Sequence, residues 1–490
     1  RAGNGKRCGA CWRGCCTWQV RVGHMARQSR RRGADWVGCI DFGTALSKFA
    51  MVKAVDREDI APATIRPLAI AQGSGQQARN AFLLPSVIYV TDEQILFGQE
   101  AESAAIRDEA SGRRAFISPK QYLSTFDLDQ IDGLLHKDID PTGKFTPRKL
   151  LQLFLAYLLE RAGNEAEKYE LPWPAPLRIA RPAWSAERAE ACETLLKDLV
   201  KSGFALADML GPALTAPGGL SQRQALTALK KLKLSAGDAE IFQLSIDGNV
   251  SVREATAVAS GSIRDNGRRV VVVVDIGGGT SDFGAFATGL AWRNVIAEIE
   301  GSAAVLTEAG DHLDMLLRAF ILKKAGLSGD HPAGAGAARR LLVHGRSNKE
   351  RLFSDGTLTV ELGDRVVEVT LREFLDQPEV AKFADRLRER SRRTLEVAVA
   401  CARDFQRLSR RRTPVSFLLT GGGHDLPMVK ALAADPGISW HYEEANPNVA
   451  ANAEELDFYN VYRQLAVAIG GAIQDLPKET APVRMELRAE

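Results

Sequence analysis

The stretch that most constrains the fold is Val270–Ala287, with the sequence VVVVVDIGGGTSDFGAFA. Five valines lead to Asp275, three glycines and Thr280 follow, and the chain becomes apolar again after Asp282. A β-branched run bounded by glycine is typical of a buried strand. Because a second apolar run follows the glycines, the segment is predicted to be a β-hairpin with the tip Asp-x-Gly-Gly-Gly-Thr.

This tip has the composition of a phosphate-binding loop. Consecutive glycines let successive backbone N–H groups point to one place, and the Thr280 hydroxyl adds a donor. Asp275 ends the strand, where a carboxylate can hold a hydrated Mg²⁺. A dinucleotide fingerprint is excluded because Asp282 stands where it needs glycine, and a Walker-type loop because Ala285 stands where it needs lysine. A flexible turn in a buried hairpin remains the other interpretation of the tip taken alone.

The layout occurs a second time in Val37–Val52, VGCIDFGTALSKFAMV. An apolar strand ends at Asp41, Gly43 and Thr44 form the turn, and Phe49–Val52 is apolar again. Self-similarity at distant points of a chain indicates related structural units. The repeat therefore predicts two related lobes, each of which offers a hairpin tip to one cleft.

A third glycine turn occurs at Phe417–Gly423, FLLTGGG. It follows another apolar run and precedes Leu426–Ala434, where the apolar spacing predicts a helix. Its glycines can pass close to a flat ring or a sugar.

The three turns together resemble the phosphate-1, phosphate-2 and adenosine motifs of the actin, sugar-kinase and heat-shock chaperone superfamily. GGGTSDFGAF is most similar to the ATPase domain of the seventy-kilodalton heat-shock (DnaK-type) chaperones, and the likeness covers residues 35–474. The resemblance implies an α/β, two-lobed actin-like ATPase fold. In that fold, duplicated ribonuclease-H-like lobes with mixed sheets surround a nucleotide cleft.

The resemblance also divides the chain. We expect a first lobe at residues 35–256, with an insertion near 203–247, and a second lobe at 257–474 whose closing helix returns to the first lobe. Residues 475–490 are then a short tail. Since so few residues follow the closing helix, we expect a stand-alone ATPase core without the chaperones' peptide-binding domain.

Residues 1–34 carry nine Lys or Arg and no acidic residue. They also contain four of the seven cysteines, in a pattern without the second pair that a zinc site needs. We interpret this stretch as a disordered extension, and residues 1–24 as either unstructured or translated upstream sequence. Because the whole chain has a net charge of +3, the remaining residues carry −6 and give no reason to expect a nucleic-acid partner.

Two further properties bear on location. Apolar runs are shorter than the ~18–20 residues that span a bilayer, so no membrane association is expected. Cys39, Cys192 and Cys401 are scattered along the chain, which favours a reducing cytoplasm.

Other segments receive roles from the resemblance. FISPKQYL places Lys120 as a catalytic lysine, although an exposed surface lysine is the alternative from the local sequence. SVREATAVA places Glu254 near the metal's water shell, and Ser251-x-x-Glu254 also has the form of a helix capping box. GDHLD resembles a family turn that contains Gly310. KERLFS resembles a helix that clamps adenosine, which an ordinary charged helix face would also explain.

The implied site has three groups of residues. The catalytic group comprises Lys120, Glu254, Asp275 and Thr280. The nucleotide-binding group comprises Asp41, Gly43, Thr44, Gly277, Gly278, Gly279, Thr280, Gly310, Lys349, Arg351, Ser354, Gly421, Gly422 and Gly423. The metal group comprises Asp41 and Asp275 for Mg²⁺, and Asp282 for a monovalent ion such as K⁺.

The resemblance implies a chaperone-like protein that binds ATP and ADP with Mg²⁺ and hydrolyses ATP slowly. Its partners would be ATP and unidentified protein clients or co-chaperones. Two alternatives remain open. One is an actin-like filament or scaffold ATPase, and the other is a small-molecule kinase of the same superfamily.

Overall fold

The computed structural model describes residues 32–33, 35–71, 80–124, 128–174, 176–234, 251–263, 269–288, 296–327, 332–410, 412–445 and 457–479. Most of the predicted N-terminal extension, residues 235–247 of the predicted insertion and residues 480–490 of the predicted tail lie outside the described residues. Within the predicted extension, Arg32–Gly33 form a short strand that pairs with Trp173–Pro174.

The first large sheet is built on the hairpin that the sequence predicts around Asp41. Trp36–Asp41 and Leu46–Lys53 pair antiparallel, and Leu177–Arg181 adds a parallel strand beside the first of them. The order across the sheet is Ser251–Arg253, Leu177–Arg181, Trp36–Asp41, Leu46–Lys53 and Ile65–Pro67, with Leu84–Pro85 also pairing with Leu46–Lys53. The sheet is therefore mixed, as the resemblance implies.

The second large sheet is built on the valine-rich hairpin. Arg269–Ile276 and Ser281–Thr288 pair antiparallel along their whole length, which confirms the predicted hairpin. The order across the sheet is Ala297–Glu298, Ser281–Thr288, Arg269–Ile276, Val415–Thr420 and Tyr442–Glu444, with Ala304–Leu306 also pairing with Ser281–Thr288. In each large sheet a hairpin is flanked on one side by two parallel strands from later in the chain and on the other by antiparallel strands.

Two smaller sheets complete the described β-structure. A sheet of four strands has the order Leu220–Ser221, Gln94–Phe97, Val87–Val90 and Phe116–Ile117. A separate hairpin joins Thr357–Leu362 to Arg365–Thr370.

The described α-helices begin and end as follows: Gly98–Arg107, Gln121–Ser124, Pro147–Lys168, Ala186–Leu210, Gln222–Leu234, Glu254–Ser262, Gly310–Lys324, Pro332–Val343, Gly345–Asp355, Leu371–Leu375, Pro378–Ser409, Pro427–Ala434 and Tyr462–Gly471. Pro427–Ala434 confirms the helix predicted after the third glycine turn. In the described part of the chain, none of these helices has the length and apolarity to cross a bilayer.

A core joins the two large sheets. Cys39 and Ala50 of the first sheet and Val271 and Val273 of the second belong to one buried apolar cluster. Helices Glu254–Ser262 and Tyr462–Gly471 supply the rest of this cluster, listed in part as Ala257, Val258, Leu465, Ala468 and Ile469. The last described helix therefore fixes the two sheets relative to each other.

Two local expectations need correction. Ser251 does not cap a helix, because Ser251–Arg253 is a strand and the helix begins at Glu254, while the Ser251 hydroxyl contacts Glu193. The GDHLD segment is not a turn, because Gly310 begins a helix that runs to Lys324. Pairing with Leu177–Arg181 makes the first segment a strand. Packing against the glycine turn at Gly278 accompanies the start of the helix in the second.

We expect Gly470→Ala to destabilise the protein. A Cβ at Gly470 would lie 1.9 Å from the carbonyl oxygen of Ala257, a backbone atom of the facing helix. Overpacking of this kind costs about 1–3 kcal/mol or more, so the urea midpoint of unfolding should fall. Gly336→Ala is the matched control, because a Cβ there meets no atom within 4 Å and alanine stabilises helices by up to ~1 kcal/mol relative to glycine. Equal midpoints for the two variants would contradict the close helix contact.

Candidate functional site

The three glycine turns meet in one cleft between the two large sheets. Strand Arg269–Ile276 lies beside Val415–Thr420, so that Asp275 is paired with Thr420 at the ends of the two strands. Gly421 has φ +82°, and a Cβ there would lie 2.4 Å from Oδ1 of Asp275. The third turn therefore passes directly against the carboxylate that ends the valine-rich strand, and only glycine fits there.

The two hairpin tips also contact each other. A Cβ at Gly279 would lie 2.6 Å from the Thr44 hydroxyl oxygen, and one at Gly278 would lie 2.9 Å from Cβ of Ala45. The helix Gly310–Lys324 starts on the same tip, because the N–H of Asp311 donates to the carbonyl oxygen of Gly278 at 2.7 Å. Side chains larger than hydrogen would separate these elements.

Four carboxylates and two lysines lie around this junction, namely Asp41, Glu254, Asp275, Asp282, Lys48 and Lys120. Lys48 Nζ donates to Oδ2 of Asp41 at 2.8 Å. Lys120 donates to Oε1 of Glu254, and both side chains are buried. If all six groups are ionised, the cluster carries two more negative than positive charges.

The two aspartates of the second hairpin, Asp275 and Asp282, have strongly raised pKa values. Burial raises the pKa of Asp275 well above its usual range, and the negative charges of Glu254, Asp282 and Asp41 raise it further. Burial and the charge of Glu254 likewise raise the pKa of Asp282 to about 7, although the Ala183 N–H, the Thr280 hydroxyl and Lys120 oppose the shift. These carboxyl groups therefore lack enough positive charge around them.

Lys120 is held as a cation. Burial by itself disfavours its ammonium group, but the attraction of Glu254 and Asp41 outweighs burial and raises its pKa. Its position depends on a left-handed residue, since Ser118 has φ +53° in the turn between strand Phe116–Ile117 and helix Gln121–Ser124. A non-glycine residue in this conformation is uncommon and occurs often at functional sites.

Most of the predicted site residues line this cleft, which encloses about 940 Å³ with its open mouth included. They are Asp41, Gly43, Thr44, Lys120, Glu254, Asp275, Gly277, Gly278, Thr280, Gly310, Lys349, Gly421, Gly422 and Gly423. Gly279 packs behind the tip on Thr44, and Asp282 is buried beneath it. The structure does not bring Arg351 and Ser354 to the cleft, because both lie on the exposed face of helix Gly345–Asp355.

Several lining residues were missed by the sequence reasoning. They are Lys48, Asp314, Arg346, Glu350, Gln464 and Val467. Lys48 had a signal, because a tight hairpin places it opposite Asp41 across the two strands. Arg346 and Glu350 lie beside Lys349 on this helix, three residues before it and one after it, whereas Arg351 lies on the opposite side from Lys349. Ser354 is one turn beyond Glu350 and does not reach the cleft.

The residues present fit a magnesium nucleotide. Asp41 and Asp275 both line the cleft beside the glycine turns, and hard carboxylate oxygens are the ligands that Mg²⁺ prefers. The described residues contain no group of three His, Cys, Asp or Glu side chains that could hold a metal by themselves. A Mg²⁺ ion that keeps several waters and also binds phosphate needs only one or two carboxylates.

Comparison with known proteins gives a distant relationship. No protein-family model matches the chain. A chaperone protein HscA homolog of Shewanella piezotolerans is 23% identical over 366 residues, which are 72% of this chain and 49% of the relative. A second, from Histophilus somni, is 23% identical over 312 residues, or 62% of this chain and 43% of the relative. The chain thus spans about half the length of the curated relatives it matches, and it is distantly similar to chaperone proteins.

Proposed function

We propose that this protein binds Mg-ATP in the cleft and hydrolyses it slowly, as a chaperone-type ATPase. The observation that carries the proposal is the convergence of three glycine turns on buried carboxylates that have too little positive charge around them. Backbone N–H groups of such turns bind phosphate oxygens, and a divalent cation would supply the missing positive charge. The distant similarity to chaperone proteins supports the same assignment.

The cleft would contact both ends of the nucleotide, the phosphates and the adenosine. The tips of the two hairpins would hold the phosphates, with Thr44 and Thr280 as additional hydroxyl donors. The adenosine would then lie between the turn Gly421–Gly423 and helix Gly345–Asp355, where Lys349 donates to the carbonyl oxygen of Gly310 at 2.7 Å. Arg351 and Ser354 would reach adenosine only if this helix moved when nucleotide binds.

Asp41 and Asp275 would hold the metal through its water shell, since both carboxylates line the cleft next to the glycine turns. When bound, Mg²⁺ neutralises negative charge on the phosphates of ATP. Asp282 lies deeper, with its Oδ1 accepting from the Ala183 N–H at 2.9 Å and its Oδ2 without a partner among the described residues. It remains our candidate ligand for K⁺.

The side chains of the protein would promote hydrolysis by positioning the reacting groups and by stabilising charge. In hydrolysis the oxygen of water bonds to the γ-phosphorus while the bond to the β,γ-bridging oxygen breaks. The Lys120 ammonium would stabilise charge on the transferred group, and Thr280 would help to orient the water. Glu254 contacts Lys120 directly, so its role would be to hold the lysine in position as well as to meet the metal's water shell.

We infer that the output is a change in the relative position of the lobes, which protein clients or co-chaperones would detect. Contacts that cross the cleft support this idea. Glu109 accepts from Arg340 at 2.7 Å and contacts His344 at 3.1 Å, and Asp311 accepts from Ser118.

The described cysteines Cys39, Cys192 and Cys401 are free, which supports a reducing cytoplasm as the location.

We expect Lys120→Ala to bind Mg-ATP but to lose turnover by about 10²–10³-fold, because one preorganised donor to the transition state is removed. Asp275→Asn should weaken binding of Mg-ADP and reduce its dependence on Mg²⁺. Calorimetric titration measures binding, and release of inorganic phosphate measures turnover. Lys53→Ala is the control, because Lys53 is an exposed lysine of the first large sheet.

Three outcomes would contradict the proposal. A parent protein that fails to bind Mg-ATP would show that the glycine turns do not form a nucleotide site. ATP consumption that begins only after an acceptor is added would favour a small-molecule kinase. Pelleting at high speed that depends on ATP would favour an actin-like filament.

Lys48 gives a separate test of the charge balance. Lys48→Met removes the ammonium group that contacts Asp41 and leaves a buried carboxylate without its cation. We expect the free energy of unfolding to fall by about 1–3 kcal/mol without nucleotide. Mg-ADP should restore much of this loss, because the metal supplies the missing charge. Urea unfolding with and without Mg-ADP measures both effects, and Lys53→Met should change neither of them.

A further inference from the structure

A second cavity lies between the lobes, next to the nucleotide cleft. It encloses about 1410 Å³ with its mouth included. Five residues line both cavities, namely Thr44, Ala45, Asp311, Asp314 and Arg346. We call this cavity the inter-lobe chamber, and nothing in the nucleotide reaction proposed above uses its outer part.

The walls of the chamber are largely apolar although solvent reaches them. Ile117, from the four-stranded sheet, is 46% exposed, and Met315, from helix Gly310–Lys324, is also 46% exposed. The partly exposed Val87 and Leu342 add further apolar surface. Large apolar side chains that face a common space from two sides are typical of a site that binds an apolar group.

One face of helix Gly310–Lys324 runs along the chamber. Asp311, Asp314, Met315 and Arg318 all line it, and their spacing of three and four residues puts them on one side of a helix. Asp311 is at the inner end, against the glycine turn. Arg318 lies seven residues further on, which is about 10 Å along a helix axis.

Most charged groups of the chamber wall already have partners. Ser118 donates to Asp311, Lys349 lies 2.9 Å from Asp314, Arg346 donates to Glu350 at 2.9 Å, and Arg114 donates to Asp138. Glu102 lines the chamber from helix Gly98–Arg107 and is exposed to solvent. Arg318 differs from the other arginines, because no carboxylate in the described part of the chain pairs with it.

We propose that the inter-lobe chamber binds a small carboxylate with an apolar body. The carboxylate would pair with the Arg318 guanidinium, which is a two-pronged donor suited to that group. The apolar body would pack between Ile117 and Met315. This site is distinct from the nucleotide site, and the proposal does not depend on ATP binding.

The test uses the full chain with two kinds of probe. Titration with 8-anilinonaphthalene-1-sulfonate reports an apolar site with an anion contact by its fluorescence. Octanoate and 1-octanol are then compared as competitors, since they share a chain length but differ in charge. We expect octanoate to displace the dye at concentrations about tenfold lower than 1-octanol does, because a hydrogen bond to a charged group adds to the apolar contact.

Matched variants assign the effect to the chamber. Arg318→Gln should weaken octanoate about tenfold and leave 1-octanol unchanged. Met315→Asp should weaken both competitors and the dye, and Met315→Gln should weaken them less. Met209→Asp and Arg223→Gln are the controls, because both residues are exposed and neither lines the chamber. Urea midpoints establish that every variant is folded.

Two results would overturn the proposal. If Met315→Asp and Met209→Asp reduce dye binding equally, or if neither variant reduces it, the dye binds outside the chamber. Equal displacement by octanoate and 1-octanol, unchanged in Arg318→Gln, would show that no anion site exists. Mg-ADP binding, measured separately, distinguishes these failures from a failure of the proposed ATPase.

Discussion

The burial of like charges is the constraint on which the rest of the structure depends. Asp275 and Asp282 are cross-strand neighbours, so their carboxyl groups lie on the same face of the second large sheet, and both are buried. Like charges placed opposite each other destabilise a sheet. Burial is the main reason that the pKa of each carboxyl group is raised, and the negative charge of Glu254 raises both further. A protein keeps such an arrangement where a cation or a polar ligand offsets it, and this is the physical reason for a ligand site here.

In the first hairpin, the buried aspartate has a positive charge opposite it. Its register places Lys48 opposite Asp41, in the position that Asp282 occupies opposite Asp275. One hairpin therefore carries its own counter-charge and the other does not. The two sheets share the order and direction of their strands, so their tips arrive at one cleft with unequal charge, and a divalent cation placed between them would be drawn towards the Asp275 side.

Local patterns in the sequence predicted the elements whose cause is local. The valine run, the glycines and the returning apolar run determine the hairpin around Asp275, and the same layout determines the one around Asp41. What the sequence reasoning missed depends on register or on distant packing. Lys48 joins the site through its cross-strand position, and Arg346 and Glu350 join it because they lie beside Lys349 on their helix. Ser251 looked like a helix cap, but pairing with Leu177–Arg181 makes it part of a strand.

Asp311 connects the two cavities physically. Its backbone N–H holds the glycine turn at Gly278, while its carboxylate accepts from Ser118 on the other side of the cleft. Burial raises the pKa of this carboxyl group, and the hydrogen bond from Ser118 opposes that shift by stabilising the carboxylate. A movement of the turn on nucleotide binding would move Asp311, and with it the helix that carries Met315 and Arg318. A ligand in the inter-lobe chamber that prefers one position of this helix would therefore change the affinity of the cleft for nucleotide. Because coupling between two binding sites is reciprocal, bound nucleotide would change the affinity of the chamber for that ligand by the same factor.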